Sequence, residues 1–407
     1  MVRKSILFIV GVFLSLCLSR AEGRKIHFIY CSDVHYGLER EFRGSVVTAD
    51  SVNRAMLAAF LMLEDMCLPE DGGVSGGEVF GRPDFVICTG DIANRMENGV
   101  QTAAESWEQF CRDWSVLAPD GMVQAGGNAD DAGGGNNVTM GLGGYRCPLY
   151  LVPGNHDISN AIGYTKRMEP ERDPASAAGI YNLMMRPDTL LVPEDFDYSE
   201  DKTHYCFTMD SIRFVFMGMW PDSSMREWYE NDVVPSGGGE GGAGPDGEGV
   251  DEDGDIPAIV FTHDPPEAEA KHFTNPRGDH DINERDGFQN LLSDICSVRY
   301  TDRKPKKNWR ELERFFFSHP EIRAYFHGDC NYNEFYTWEG TDGSIALPVF
   351  RVDSPMKGEF SSTDETLLSF MVVTIDTRDG LLTARECLWN TGLCLGIEWG
   401  ESRTIRL

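Results

Sequence analysis

The sequence predicts a mixed α/β fold, and three observations carry that prediction. Short apolar runs recur along the chain and read as buried strands. Segments with apolar residues at helical spacing lie between them, as at Val52, Met56, Ala59, Phe60 and Leu63. Most of the apolar runs stop abruptly at Gly, Asn, Asp or His. In open α/β sheets ligands bind just beyond the carboxyl ends of the strands, so those terminations are where function is sought.

The first run, 26–32 (IHFIYCS), is a strand leading into Asp33, His35 and Gly37. On an extended backbone alternate side chains share a face, so Asp33 and His35 are expected to face one cation. Thr48 is placed to cap the helix that follows. Residues 69–83 form a Gly-rich connection, expected as a flexible insertion. A second strand, 84–90 (DFVICTG), ends in Gly90-Asp91, and a helix is expected over 101–117. The loop at 119–145 is dominated by Gly, Asn and Asp and reads as a second flexible insertion. Next comes 149–157 (LYLVPGNHD), an apolar run that breaks at Pro153 and delivers Gly154, Asn155, His156 and Asp157 in succession.

Residues 175–185 are predicted helical, and 205–210 with 212–219 form an antiparallel pair turned at Asp210-Ser211. Residues 236–255 hold seven acidic and no basic residues among glycines, the composition of a disordered acidic insertion. Beyond it, 257–261 is a strand delivering Thr262, His263 and Asp264. Helices are expected over 287–300 and 308–317, and 322–326 is a strand ending in His327, Gly328, Asp329, Cys330 and Asn331. The chain closes on strand-like runs at 335–338, 347–352, 367–375 and 381–388.

Residues 1–21 read as a secretory signal peptide. Arg3 and Lys4 precede an apolar stretch over 6–18, and Ser19 and Ala21 are small residues placed for cleavage. That stretch is short for a bilayer span and no later run qualifies, so residues 22–407 are expected to be exported without stable membrane insertion. The destination, periplasm, extracellular space or endomembrane lumen, depends on the source. A net charge of -30 argues against a nucleic-acid partner, since a phosphate backbone calls for a basic face. Oligomeric state leaves no mark in the sequence. Cys31 and Cys88 sit inside strand-like runs and read as buried thiols. Cys387 and Cys394 flank a short loop and are the one pair suited to a disulfide, and Asn137-Val138-Thr139 matches a glycosylation acceptor.

The strand-end residues have a common chemistry. Asn155 offers a cation its amide oxygen, Asp91 can bridge two cations, and His156 can meet a substrate as an acid. Gly90 and Gly154 let the loops turn tightly enough for these side chains to converge. Asp33-x-His35, Gly90-Asp91, Gly154-Asn155-His156-Asp157 and the lone His263 also follow one another in a telling order. In that order the chain resembles the calcineurin-like metallophosphoesterase superfamily, from Asp33 to Asn331.

The resemblance implies a four-layer αββα sandwich of two mixed β-sheets flanked by helices, with a two-metal site. It implies Asp33 and His35 on the first metal, Asp91 as the bridge, Asn155 and His263 on the second, and His156 protonating the leaving oxygen. The implied substrate is a phosphate mono- or diester attacked by a metal-bridging hydroxide. Hard oxygen ligands with imidazoles suit Mn, Fe or Zn, as divalent or trivalent ions, rather than a thiolate site.

One block departs from the pattern. Where the superfamily has GHxH, this chain has Gly328-Asp329-Cys330-Asn331. Asp329 can ligate the second metal in place of the first histidine, and Asn331 stands in for the second, where water can serve the metal instead. His327 is a displaced candidate that strand alternation points away. The altered block keeps a second reading open, a non-catalytic binding protein of the same fold with an impaired second metal site. Retention of His156 favours the enzyme. Tyr36, Trp220 and Trp338 lie near strand ends, where they could stack on an organic moiety or pack in the core.

Overall fold

The computed structural model describes residues 23–94, 101–117, 138–158, 173–234, 256–274, 291–296, 304–392 and 396–407. The expected signal at 1–21, the acidic stretch at 236–255, Asn137 and Cys394 lie outside the described residues.

In chain order the structure begins with β1 (Lys25–Cys31), the hairpin β2 (Glu39–Phe42) and β3 (Ser45–Thr48), then α1 (Ala49–Met62) and β4 (Phe85–Cys88). It continues with α2 (Ala103–Asp113), β5 (Thr139–Leu142), β6 (Tyr145–Leu151), α3 (Asn155–Ile158), α4 (Ala175–Met185), β7 (His204–Met209) and β8 (Ile212–Met217). Then come α5 (Ser223–Trp228), β9 (Ala258–Phe261), β10 (Phe273–Thr274), β11 (Leu292–Ile295), α6 (Lys306–Ser318) and β12 (Ile322–His327). The last strands are β13 (Glu334–Trp338), β14 (Leu347–Arg351), β15 (Ser369–Asp376), β16 (Leu381–Leu388) and β17 (Glu398–Arg406).

These strands form two mixed sheets, ordered β17-β16-β15-β1-β4-β6-β5 and β13-β14-β12-β9-β8-β7. In the first, β1, β4 and β6 are parallel. In the second, β8, β9, β12 and β14 are parallel. The sheets pack face to face through Phe28, Tyr30, Phe85, Phe214, Phe261 and Phe326, among others. Ile29 and Cys31 point the other way, into a second core closed by Val52, Met56 and Phe60 of α1 and Phe110 of α2. On the far side Met225 of α5 and Leu312, Phe315 and Phe316 of α6 cover Val215, Val260 and Tyr325. Except for β6, whose burial alternates, the parallel strands are thus largely buried on both faces, which is why they read as continuous apolar runs.

Several elements fall where the sequence puts them. The helix expected over 175–185 is α4, and the turn between β7 and β8 holds Asp210 and Ser211 at φ 45° and 63°, as a tight hairpin connection requires. Thr102 caps α2 in a reciprocal capping box with Glu105. Tyr36, Trp220 and Trp338 are all buried and pack in the core. Cys31 and Cys88 are buried free thiols as expected, whereas Cys387, expected to pair with Cys394 in a disulfide, is a buried free thiol instead.

Three further expectations need correcting. The described part of 287–300 is strand β11, not helix. It pairs with β10, and its buried Asp294 accepts the Ser223 N–H at 2.8 Å and binds Arg226 at 3.2 Å, partners that sequence periodicity does not reveal. Residues 69–83 are tied to the sheet rather than loose. Asp71 takes two hydrogen bonds from Arg385, at 2.8 and 2.9 Å, and Phe80 is buried against the His27 ring. The end of the expected loop at 119–145 is the edge strand β5, antiparallel to β6.

Candidate metal centre

Six parallel strands end at one edge of the sandwich, and the loops that follow them converge there. β1 delivers Asp33 and His35, β4 delivers Asp91, β6 delivers Asn155 and His156, β9 delivers His263 and Asp264, and β12 delivers Asp329. β14 delivers a loop that begins at Asp353 and Ser354 and reaches Lys357.

Close approach of backbones makes the convergence feasible. A Cβ added to Gly90 would lie 2.2 Å from Gly154 N, and one added to Gly154 would lie 2.2 Å from Asp91 Oδ1. The two motifs therefore press back to back at positions only glycine can occupy. The Asp157 carboxylate locks them together, accepting N–H groups from Gly154 at 2.9 Å, Ala93 at 3.0 Å and Ile92 at 3.3 Å. Asp33, His35, Asp91, Asp329 and Asn331 all have left-handed φ between 38° and 59°. Such strain in non-glycine residues collects at functional sites. It also corrects the sequence reading of Asp33 and His35. They share a site because two left-handed residues curl the chain beyond β1, not because an extended strand alternates.

Among the described residues two groups could hold a cation, Asp33 with His35 and Asp91, and His263 with Asp264 and Asp329. In each group the ligating atoms lie within 4.8 Å of one another. Asp91 stands between them. Its Oδ2 is 3.4 Å from His35 Nε2, and its Oδ1 is 3.5 Å from His263 Nε2. Asn155 Oδ1 lies 3.0 Å from the same His263 nitrogen, which puts Asn155 at the second group. Asp329 joins that group through its Oδ1, 3.8 Å from His263 Nε2.

Both imidazoles present Nε2 to the site because a backbone carbonyl engages the other nitrogen. His263 Nδ1 is 2.7 Å from Thr89 O, and His35 Nδ1 is 3.1 Å from Ala93 O. Burial, with the Lys357 charge, lowers the His35 ring to about 4, so it is neutral and its Nε2 lone pair is available. Burial also opposes charge on His263, but the carboxylates of Asp91, Asp33 and Asp329 outweigh it and raise this ring to about 10. Without cations a proton on His263 thus balances the carboxylates. Asp33 Oδ1 and His35 Nε2 are buried with no hydrogen-bond partner. Buried acceptors in that state are costly, and a hard cation is the partner this donor set fits.

The remaining predicted residues fall as follows. His156 is not in either group. Its Nε2 is 3.9 Å from Asp91 Oδ2 and 3.3 Å from Lys357 Nζ, and its backbone N–H donates to Asp91 Oδ1 at 2.9 Å. Asn331 folds back on its own loop, Nδ2 donating to Asp329 O at 2.8 Å, while its Oδ1 is buried and unpartnered. His327 turns away from the site toward Tyr336, as strand alternation predicts, and burial beside Arg351 lowers it to about 3. Burial pushes the Cys330 thiol up to about 12, so a thiolate ligand is disfavoured there.

The sequence reading gave no site role of their own to Asp157, Asp264, His272 or Lys357. Asp264 is fully buried and meets His272 Nδ1 at 2.7 Å, while its Oδ1 has no partner. Its signal was position, since it directly follows His263 at the end of a strand. Lys357 carried no such signal, lying well past the strand that aims its loop.

Two candidate cation sites with one carboxylate between them, at the strand ends of a two-sheet sandwich, have the make-up of a metal-dependent phosphoesterase centre. The chain belongs to the calcineurin-like phosphoesterase family, whose sequence profile matches residues 26–329. Among solved structures it is similar to PhoD, at 10% identity and a TM-score of 0.45 over 94% of this chain and 70% of that one. It is also similar to a dimetal phosphatase from Danio rerio, at 12% identity and a TM-score of 0.41 over 94% of this chain and 98% of that one. No curated protein sequence matches it.

Proposed function

We propose that the protein is an exported phosphoesterase that hydrolyses a phosphate mono- or diester with two metal ions. Asp33 and His35 hold one cation, Asn155, His263 and Asp329 the other, and Asp91 bridges them. One observation carries this reading: the two oxygens of a single buried carboxylate, Asp91, each face a different imidazole. Export rests on the signal-like character of residues 1–21.

When bound, such a pair of cations activates water and withdraws charge from the phosphoryl oxygens. The chain's own residues supply the rest. His156 is held by its backbone N–H on Asp91, so its imidazole stands beside the centre without being consumed as a ligand. From there it gives a proton to the departing oxygen. The Asp157 hub keeps the two loops, and with them Asp91 and Asn155, in fixed relation.

Metal analysis of the purified protein, together with turnover of p-nitrophenyl phosphate and bis-p-nitrophenyl phosphate before and after chelation, tests the proposal. Two metals per chain and chelator-sensitive turnover are expected. Two bound metals with no turnover on a broad phosphoester panel would favour the non-catalytic binding protein, and a protein that takes up no metal would overturn both readings.

A further inference from the structure

Four carboxylates, those of Asp33, Asp91, Asp264 and Asp329, meet at the edge where a phosphate has to enter. Two divalent cations bring four positive charges and these carboxylates return four negative ones, so the metals alone leave little net attraction for a phosphate dianion. The chain delivers another cation to that edge. Lys357 Nζ stands 3.3 Å from His156 Nε2, and its charge is felt at His35 and Asp91.

The loop carrying Lys357 is built to hold it there. β14 runs parallel to β12, so the two end side by side. Ser354 Oγ donates to Asp33 O at 2.8 Å and accepts the Lys357 N–H at 2.9 Å, tying the lysine's backbone to the Asp33 loop. Arg40 grips the loop from the other side, donating to Pro355 O at 2.7 Å and Ser361 O at 2.5 Å. The Glu359 N–H closes the ring on Asn331 O at 2.7 Å. Lysine on a mobile loop loses entropy when it grips a ligand, whereas here the backbone is already fixed. The side chain is half-buried at that edge, beside His156.

We propose that Lys357 is a substrate-binding residue that donates a charge-assisted hydrogen bond to a phosphoryl oxygen beside His156. It offsets the negative charge that Asp329 adds where its relatives' pattern has a neutral histidine. This rests on the phosphoesterase reading above for its substrate, but its test does not require turnover. The interaction favours the more highly charged ligand, so Lys357 discriminates toward a monoester dianion over a diester monoanion.

The test uses the full metal-loaded protein, with inorganic phosphate as the probe in calorimetry and the two nitrophenyl esters in steady-state kinetics. Lys357→Gln should weaken phosphate binding roughly 10- to 100-fold, as expected for loss of a hydrogen bond to a charged group. It should raise KM for the monoester by a similar factor, raise that for the diester less, and leave metal content unchanged. Lys357→Arg, which keeps the charge, should retain most of the affinity. Equal phosphate binding by wild type and Lys357→Gln would overturn the proposal, as would wild type that binds no phosphate, equal losses on both esters, or loss of metal. Lys357-dependent phosphate binding by an inert wild type would sustain the proposal and sink the enzymatic reading instead.

Discussion

The backbone N–H of Asp329 donates to Asp33 Oδ2 at 3.0 Å, joining the first and the last metal motifs across the two sheets. Asp329 is thereby held with its own carboxylate 3.8 Å from His263. In the proposed role of ligand to the second cation it would add a negative charge where the family pattern has a neutral imidazole. Asp329→Ala should lose one of two metals, and Asp329→His should keep both. The histidine variant should also shift the rising limb of the pH–rate profile downward and improve monoester relative to diester turnover. Metal analysis and pH–rate profiles check this, and an alanine variant with wild-type metal content and profile would remove Asp329 from the site.

His156 touches Asp91 through its backbone and lies outside both ligand groups. His156→Ala should keep its metals and lose rate by roughly 10²- to 10⁴-fold, the usual range for a general acid. The loss should be smallest for nitrophenolate, which leaves without help. Equal slowing of good and poor leaving groups would refute the acid role.

Asp157 accepts three backbone N–H groups and is fully buried. Removing it strands those donors, each of which costs about 1–3 kcal/mol when unpaired. Asp157→Ala should therefore lower stability by roughly 3 kcal/mol or more in urea unfolding and weaken metal binding through its neighbours Asp91 and Asn155. A fall in turnover with unchanged stability would point to a direct chemical role instead.

Asp353, under the Lys357 loop, supplies a pH signature. Burial pushes its carboxyl up to about 8, against the pull of Ser361, the Ser354 backbone and Arg40. In the unfolded chain it ionises near 3.8. Between those values the folded state retains a proton that the unfolded state has lost, so this residue's contribution to stability falls as pH rises from about 4 to about 8 and then levels. Asp353→Asn removes the dependence. Its Tm relative to wild type should rise steadily across that window, by a few degrees or more, measured with metal held constant. A flat difference would show that Asp353 is ionised in the fold throughout.

Much of the site was legible because each motif is short, local and placed by a strand end. Gly90-Asp91 and Gly154-Asn155-His156-Asp157 work through backbone turns that their own glycines permit, so spacing alone exposes them. Residue 287–300 shows the opposite case. Its apolar residues fit a helix as well as a strand, and only pairing with β10 and the Asp294 contacts to Ser223 and Arg226 decide for a strand. The segment 69–83 looked loose because its anchor, Arg385, is more than 300 residues away in sequence.

The sequence by itself determined the alternation of buried strands and amphipathic helices and the order of the metal motifs. It did so because burial on both faces and tight turns are written in local composition. Tertiary structure alone decided how Asp33 and His35 converge, since left-handed backbone is stable there only under restraint from neighbouring loops. It alone brought Asp264 against His272, closed Asp157 over two loops, and carried Lys357 to His156. Those contacts join residues far apart in the chain, and their energy exists only once two sheets have packed and their parallel strands end at a common edge.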